Sequence, residues 1–107
     1  MTNTPTSQDK SLNEIDLMVI VEIEKNSNTN QRALAKTLNT SLGKINYCIK
    51  ALINIGFIKL DNFSNSKNKL KYLYVITPQG IAAKTSLTKK FLKRKQKEYN
   101  ELKKLLE

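Results

Sequence analysis

Lys44, Asn46, Tyr47 and Lys50 fall within one seven-residue span of the stretch "SLGKINYCIK", residues 41 to 50, which also holds Ser41 and Gly43. A side-chain amide sets a donor beside an acceptor, the pattern shown by the edge of adenine, while an ammonium group suits guanine or a phosphate. Tyr47 adds a hydroxyl on an apolar ring, and a glycine lets backbone approach whatever is bound. Wound as a helix, the stretch puts Gly43, Asn46, Tyr47, Lys50 and Asn54 on one arc, with Lys44 at its flank. Ile45, Cys48, Ile49, Leu52, Ile53 and Ile55 take the other arc. The apolar arc docks the helix and the polar arc is presented, either to a ligand or merely to water.

Further groups of the same chemistry lie on either side. "NSKNKLKY" supplies Lys67, Asn68, Lys69 and Lys71 among small polar neighbours, suited to phosphates or to a minor groove. Gln31 and Arg32 open another helical stretch, where exposed amides and the positive end of the dipole favour a phosphate; Arg32 could equally be a plain surface charge. The whole chain of 107 residues carries a formal charge of +10, with a pI near 9.8. That charge is uneven. Residues 1–30 hold two basic and five acidic side chains, residues 31–76 eight and one, and residues 77–107 nine and three. A positive middle and C-terminal end point to a polyanionic partner, and nucleic acid fits better than a membrane surface.

Other chemistries find little support. One cysteine cannot close an intrachain disulfide, and without histidine the usual zinc ligand sets cannot be assembled. Cys48, on the apolar arc, reads as a small core thiol rather than a redox sensor. No Ser/His/Asp, Cys/His or Gly-rich phosphate motif occurs, and the acids of the first helix read as scattered over exposed positions. The expectation is a protein without catalysis, metal or cofactor. "MTNTPTSQDK" lacks an apolar signal core and "LMVIV" is far too short to span a membrane, so a cytoplasmic, soluble chain is expected.

The elements that must position these groups follow from period and punctuation. Residues 1–10 form a polar tail of disordered composition. Ser11 and Glu14 make a capping box ahead of a first helix with Leu12, Ile15, Met18, Val19 and Ile23 on its stripe. A second helix runs from about Asn30 to Leu38, capped by Thr29, with Leu34, Ala35 and Leu38 inward. Ser41 caps a third, from about Leu42 to Ile55, which stops at Gly56. "FIKLDNF" and "LKYLYVI" then read as a β-hairpin, with Leu70, Tyr72, Tyr74 and Ile76 on its core face. Leu73 and Val75 make a second apolar face that needs a cover. Thr77 and Pro78 restart a helix that continues to about Leu106. Its Leu92, Tyr99, Leu102 and Leu106 form a heptad-like seam, interrupted by Lys95 and suited to a second copy of the chain. The order helix, helix, helix, hairpin, long helix is the winged helix-turn-helix arrangement, mainly α with a β-hairpin wing. It divides into a domain over 11–83 and a dimerisation helix over 84–107.

"NQRALAKTLNTSLGKINYCIKALINIGFIKL" followed by "YLYVITPQG" resembles the MarR-type winged-helix transcriptional regulators. The match rests on "LAKTL", on the spacing of Ser41, Ile45, Ile49, Leu52 and Gly56, and on the closing "TPQG". It covers about residues 12–83. "SLGKINYCIKAL" with "NSKNKLKYLY" looks most like the small branch associated with exopolysaccharide gene clusters. The resemblance implies a homodimer that binds double-stranded DNA and regulates promoters near such genes. Larger members build their dimer from N- and C-terminal helices and often hold a small-molecule ligand near the junction. Here the N-terminal extension is minimal and a single helix follows the wing, so that pocket does not carry over. Two rival functions fit the same residues: a winged-helix module that binds protein through the third helix, and a charge-driven, non-specific nucleic-acid binder.

Overall fold

Asn13 starts the first helix. Its side chain accepts from the backbone N–H groups of Ile15 (3.2 Å) and Asp16 (3.4 Å), and the Asp16 carboxylate accepts from Asn13 N at 2.8 Å. This is a reciprocal capping box, two residues later than the Ser11–Glu14 pairing read from the sequence. Leu12 and Leu17, the two positions of a hydrophobic staple around that cap, are both buried, which fixes the later start.

The computed structural model describes residues 12–64 and 70–107, and the side chains of 12–61 and 73–107. The N-terminal tail, Ser11 and the wing-tip residues Lys67, Asn68 and Lys69 lie outside the described residues, as does the side chain of Lys71. Six elements follow one another: α1 (Glu14–Lys25), α2 (Gln31–Thr37), α3 (Leu42–Asn54), β1 (Ile58–Ser64), β2 (Leu70–Ile76) and α4 (Pro78–Lys104). The expected order and fold class, a mainly helical winged helix-turn-helix, are those observed.

α1 is the central helix, packed against α3, β2 and α4. A helix with neighbours on several sides buries more than one stripe, and this corrects the sequence reading. Leu17 and Ile20, off the expected stripe, are buried together with Val19 and Ile23, whereas Ile15 and Met18 are only half-buried. Ile45, Cys48, Ile49 and Leu52 of α3 and Leu34 and Ala35 of α2 complete the core with Ile58, Leu87 and Phe91.

The turn between α2 and α3 has a definite construction. Asn30, rather than Thr29, caps α2, its side chain accepting from Ala33 N at 2.8 Å. At the other end Thr40 N donates to Ala35 O (2.9 Å) and Asn39 N to Lys36 O (3.2 Å), with Asn39 at φ 54°. This is a Schellman ending that uses asparagine where glycine is usual, and it releases the chain at once into the Ser41 cap of α3. α3 ends the same way. Gly56 sits at φ 87°, Phe57 N donates to Leu52 O (2.9 Å) and Gly56 N to Ile53 O (3.1 Å).

The hairpin pairs Ile58 with Ile76 and Leu60 with Tyr74 in antiparallel register. Ile58 is buried, and Tyr74 and Ile76 pack on the core, as the sequence placed them. β2 also reaches back to the loop after α1, with Tyr74 N donating to Ser27 O at 3.2 Å.

"TPQG" joins the wing to α4. The Thr77 hydroxyl donates to Gly56 O at 2.6 Å and accepts from Gly80 N at 3.0 Å, while Thr77 N donates to Phe57 O at 3.0 Å. A Cβ on Gly80 would stand 2.2 Å from Phe57 O and 2.8 Å from Ile76 Cγ2, so the approach admits only glycine.

α4 runs antiparallel to α1, since Lys84 pairs with Glu24 near the end of α1 and Lys95 with Glu14 at its start. Leu87 and Phe91 are the buried anchors between them. Beyond Phe91 every residue of the chain is exposed.

Candidate nucleic-acid interface

α3 is amphipathic because its buried residues recur at three- and four-residue spacing: Ile45, Cys48, Ile49 and Leu52. The opposite side is wet. Ser41, Gly43, Lys44 and Lys50 are exposed, and Tyr47 is 74% exposed although it is one of the largest side chains in the chain. Around Gly43 a Cβ would meet nothing within 4 Å, so the backbone itself is open to an approaching surface. Ser41 faces the start of the helix and its hydroxyl accepts from Lys44 N at 3.1 Å.

Asn46 is only half-buried, and its amide is engaged. Nδ2 donates to Gln31 Oε1 of α2 at 3.1 Å, and Gln31 Nε2 in turn donates to the Tyr74 hydroxyl of β2 at 3.5 Å. The structure thus brings together Asn46 and Gln31, which lie 15 residues apart in sequence. Arg32 is exposed beside them at the start of α2. No spacing rule relates residues on two helices whose crossing is not known beforehand, and this link had no signal in the sequence.

Charge is sorted by region. All three ion pairs among the described residues involve α1: Lys25 with Glu22, Lys84 with Glu24, and Lys95 with Glu14. Lys90 and Arg94 lie over the Phe91 ring, at 5.5 Å and 4.9 Å from its centroid, and shield the edge of the core. Four basic side chains of α4, Lys84, Lys90, Arg94 and Lys95, are therefore paired or stacked within the chain. Arg32, Lys36, Lys44, Lys50 and Lys59 have no such partner among the described residues. Lys89, Lys93, Lys97, Lys103 and Lys104 of α4 have none either, so unpaired positive charge lies on α2, α3, the start of the wing and α4 alike.

Behind the presented face sits a buried carboxylate, which corrects the expectation that the acids of the first helix are exposed. Asp16 is 6% exposed. It closes the α1 cap and accepts from the Cys48 thiol. Burial pushes that thiol up to about 12, the Asp16 hydrogen bond and charge add to the rise, and Lys44 opposes it. Cys48 is a protonated core group, as its place on the apolar arc suggested.

Leu92, Tyr99, Leu102 and Leu106, expected from the sequence to form a seam for a second copy, are all exposed, and Leu105, which the sequence reading passed over, is 79% exposed beside them. No helix among the described residues is long and apolar enough to cross a membrane.

With this geometry in place, comparison with known proteins gives two findings. Residues 12–59 match the family of winged helix-turn-helix DNA-binding domains, a span that takes in α1, α2, α3 and the first residues of β1. Among solved structures the chain is similar to a protein from Methanosarcina mazei Go1 described as a possible transcriptional regulator. The identity is 18% and the TM-score 0.51, with 87% of this chain and 81% of that one covered, a likeness of fold. No curated protein matches the chain.

Proposed function

We propose that the chain is a sequence-specific, double-stranded-DNA-binding transcriptional regulator that acts as a homodimer. The observation that carries this reading is the outer face of α3. It combines an exposed tyrosine, two lysines without ion-pair partners among the described residues, an open glycine and a positioned amide, on a helix whose Ile45, Cys48, Ile49 and Leu52 are buried in the core. The match of residues 12–59 to winged helix-turn-helix DNA-binding domains and the solved structure described as a possible transcriptional regulator support it. Asn46, Lys44, Lys50 and Tyr47 meet base edges in the major groove, with Gly43 and Ser41 where the helix enters it. Arg32 and Gln31 flank the groove. Lys67, Asn68, Lys69 and Lys71 of the wing contact the adjoining backbone.

The exposed leucines and tyrosine of distal α4 supply a seam for a second copy. Two-fold symmetry then gives a pseudo-palindromic operator, its half-sites about one turn or roughly 34 Å apart. The resemblance to the small exopolysaccharide-associated branch of MarR-type regulators makes promoters of such gene clusters the first targets to try.

Gel shifts against genomic fragments at rising salt test the reading. Saturable binding to a few fragments is expected. Uniform binding that collapses with salt would leave only a charge-driven binder, and no binding at all would favour a protein-interaction module.

A further inference from the structure

We infer that Gln31 is a positioning residue: it fixes which way the Asn46 amide faces and thereby sets the base that α3 reads at that position. The inference rests on the DNA-reading role proposed for Asn46 and deepens it.

An asparagine amide can present its oxygen and nitrogen in either of two orientations related by a half-turn about χ2, and the two show donor and acceptor in opposite order. With one N–H turned inward, Oδ1 and the second N–H face outward as an acceptor beside a donor, the pair that matches N6 and N7 of adenine. With Oδ1 turned inward, the outer edge still carries an N–H beside a lone pair of Oδ1 but in the opposite order, so in the same pose it no longer matches N6 and N7 of adenine. A free amide on a helix surface samples both and discriminates poorly.

Here the choice is made by a chain of three side chains from three elements. Asn46 Nδ2 donates to Gln31 Oε1 at 3.1 Å, which uses one of its two N–H groups and leaves the other with Oδ1 for the ligand. Gln31 is held in turn: its Nε2 lies 3.5 Å from the Tyr74 hydroxyl and its Oε1 is turned to Asn46, and because a hydroxyl can donate or accept, Tyr74 positions the Gln31 side chain while the Gln31 variants below decide the polarity. All three residues are half-buried, which limits competition from water and strengthens each link. The orientation of a reading group on α3 is therefore tied to α2, whose Gln31 is in turn held against the wing strand. Gln31 acts through Asn46, whatever Arg32 beside it does with a phosphate.

The polarity of the chain supplies the test. Gln31→Glu offers acceptors only, so it keeps Asn46 Nδ2 inward. Gln31→Lys offers donors only and turns Oδ1 inward. Gln31→Met has nearly the same shape and offers neither. Duplexes are selected from a random-sequence library with the full-length protein and each variant, and base preference is read position by position; Asn46→Ala identifies the base pair that Asn46 reads. The wild type is expected to prefer adenine there. Gln31→Glu should keep that preference and Gln31→Met should lower it about three- to tenfold, the worth of a single lost neutral hydrogen bond, while other positions hold. Gln31→Lys should abolish the adenine preference, and Tyr74→Phe should weaken it less than Gln31→Met does.

A Gln31→Met profile identical to the wild type, or one weakened evenly at every position as loss of a phosphate contact would produce, overturns this inference and leaves the regulator reading intact. A wild-type protein that enriches no motif overturns the regulator reading and this inference with it. Should Gln31→Met fail to fold, as thermal unfolding would reveal, Gln31→Glu against Gln31→Lys decides: equal base preference in those two overturns the inference.

Discussion

α3 and the distal part of α4 are both amphipathic, and they are finished in opposite ways. α3 spends its apolar side on the core, with Ile45 and Leu52 fully buried, and shows amides, lysines and a tyrosine to the outside. Distal α4 has no core to lie on, and Leu102, Leu105 and Leu106 stand in water at 65%, 79% and 89% exposure. What each helix leaves unsatisfied describes its partner. Polar groups without ion-pair partners on a positive surface call for a polyanion, whereas leucines without a cover call for another apolar helix. A net charge of +10 alone would have merged the two. The separation appears in the apolar residues, because Lys97, Lys103 and Lys104 of distal α4 are as free of ion pairs among the described residues as Lys44 and Lys50 of α3, while only distal α4 leaves its leucines uncovered.

Substitutions that invert this contrast have the largest effects. Leu52→Ala on the buried side of α3 should cost about 2–5 kcal/mol of stability in urea unfolding, because it leaves a cavity in the core. Leu102→Ala, at a residue 65% exposed, should change the same unfolding curve of the monomer by less than about 0.5 kcal/mol. Equal losses would mean that distal α4 is packed in a way the exposed leucines do not show.

Next comes deletion of residues 97–107, which spares the Lys95–Glu14 pair and the Phe91 anchor. Sedimentation should find self-association lowered, and operator affinity should fall with it by about tenfold or more, since one half-site is then bound at a time. A truncated chain that remains fully dimeric would remove α4 from the interface.

Asn46→Ala should reduce discrimination between operator and random DNA by about 1–3 kcal/mol, while Lys69→Ala weakens binding to both alike. Matching losses in the two variants would abolish the division between base reading and backbone contact.

The smallest effect sharpens the buried side alone. The folded chain holds the Cys48 thiol at about 12, above its ordinary value of 9.0, so the folded state keeps a proton that the unfolded chain gives up sooner. Stability from this source is complete below the ordinary thiol range and declines as pH climbs toward 12. Urea midpoints measured at pH 8 and pH 10.5 should fall less steeply in Cys48→Ala than in the wild type, and parallel declines would contradict the burial of the thiol.

Much of the scaffold could be read from sequence because local rules settle it. Gly56 has the φ that ends α3, Ser41 and Thr77 are caps, and the change from helical to strand period after Gly56 marks the wing. The start of α1 could not be settled this way. "SLNEID" contains two overlapping box patterns, and the choice of Asn13–Asp16 depends on Leu12 and Leu17 finding a core made by other elements. Asp16 was misjudged for a similar reason: its neighbour Cys48 comes from a different helix. The residues of the α3 face were legible as a set, since one helical period gathers them. Their internal order was not, because the Tyr74–Gln31–Asn46 chain crosses three elements.

The joint at "TPQG" has a mechanical meaning. Thr77 is tied to both Gly56 and Phe57, and Gly80 lies against Phe57, so the root of α4 is clamped to the end of α3 with little room to swivel. A rod fixed so firmly at its base behaves like the arm of a calliper, carrying the attitude of α3 out to its far end. One residue inserted midway along the rod would turn everything beyond it by about 100° and advance it by about 1.5 Å. In the proposed dimer such a change would leave each α3 face whole and set the wrong gap between two of them.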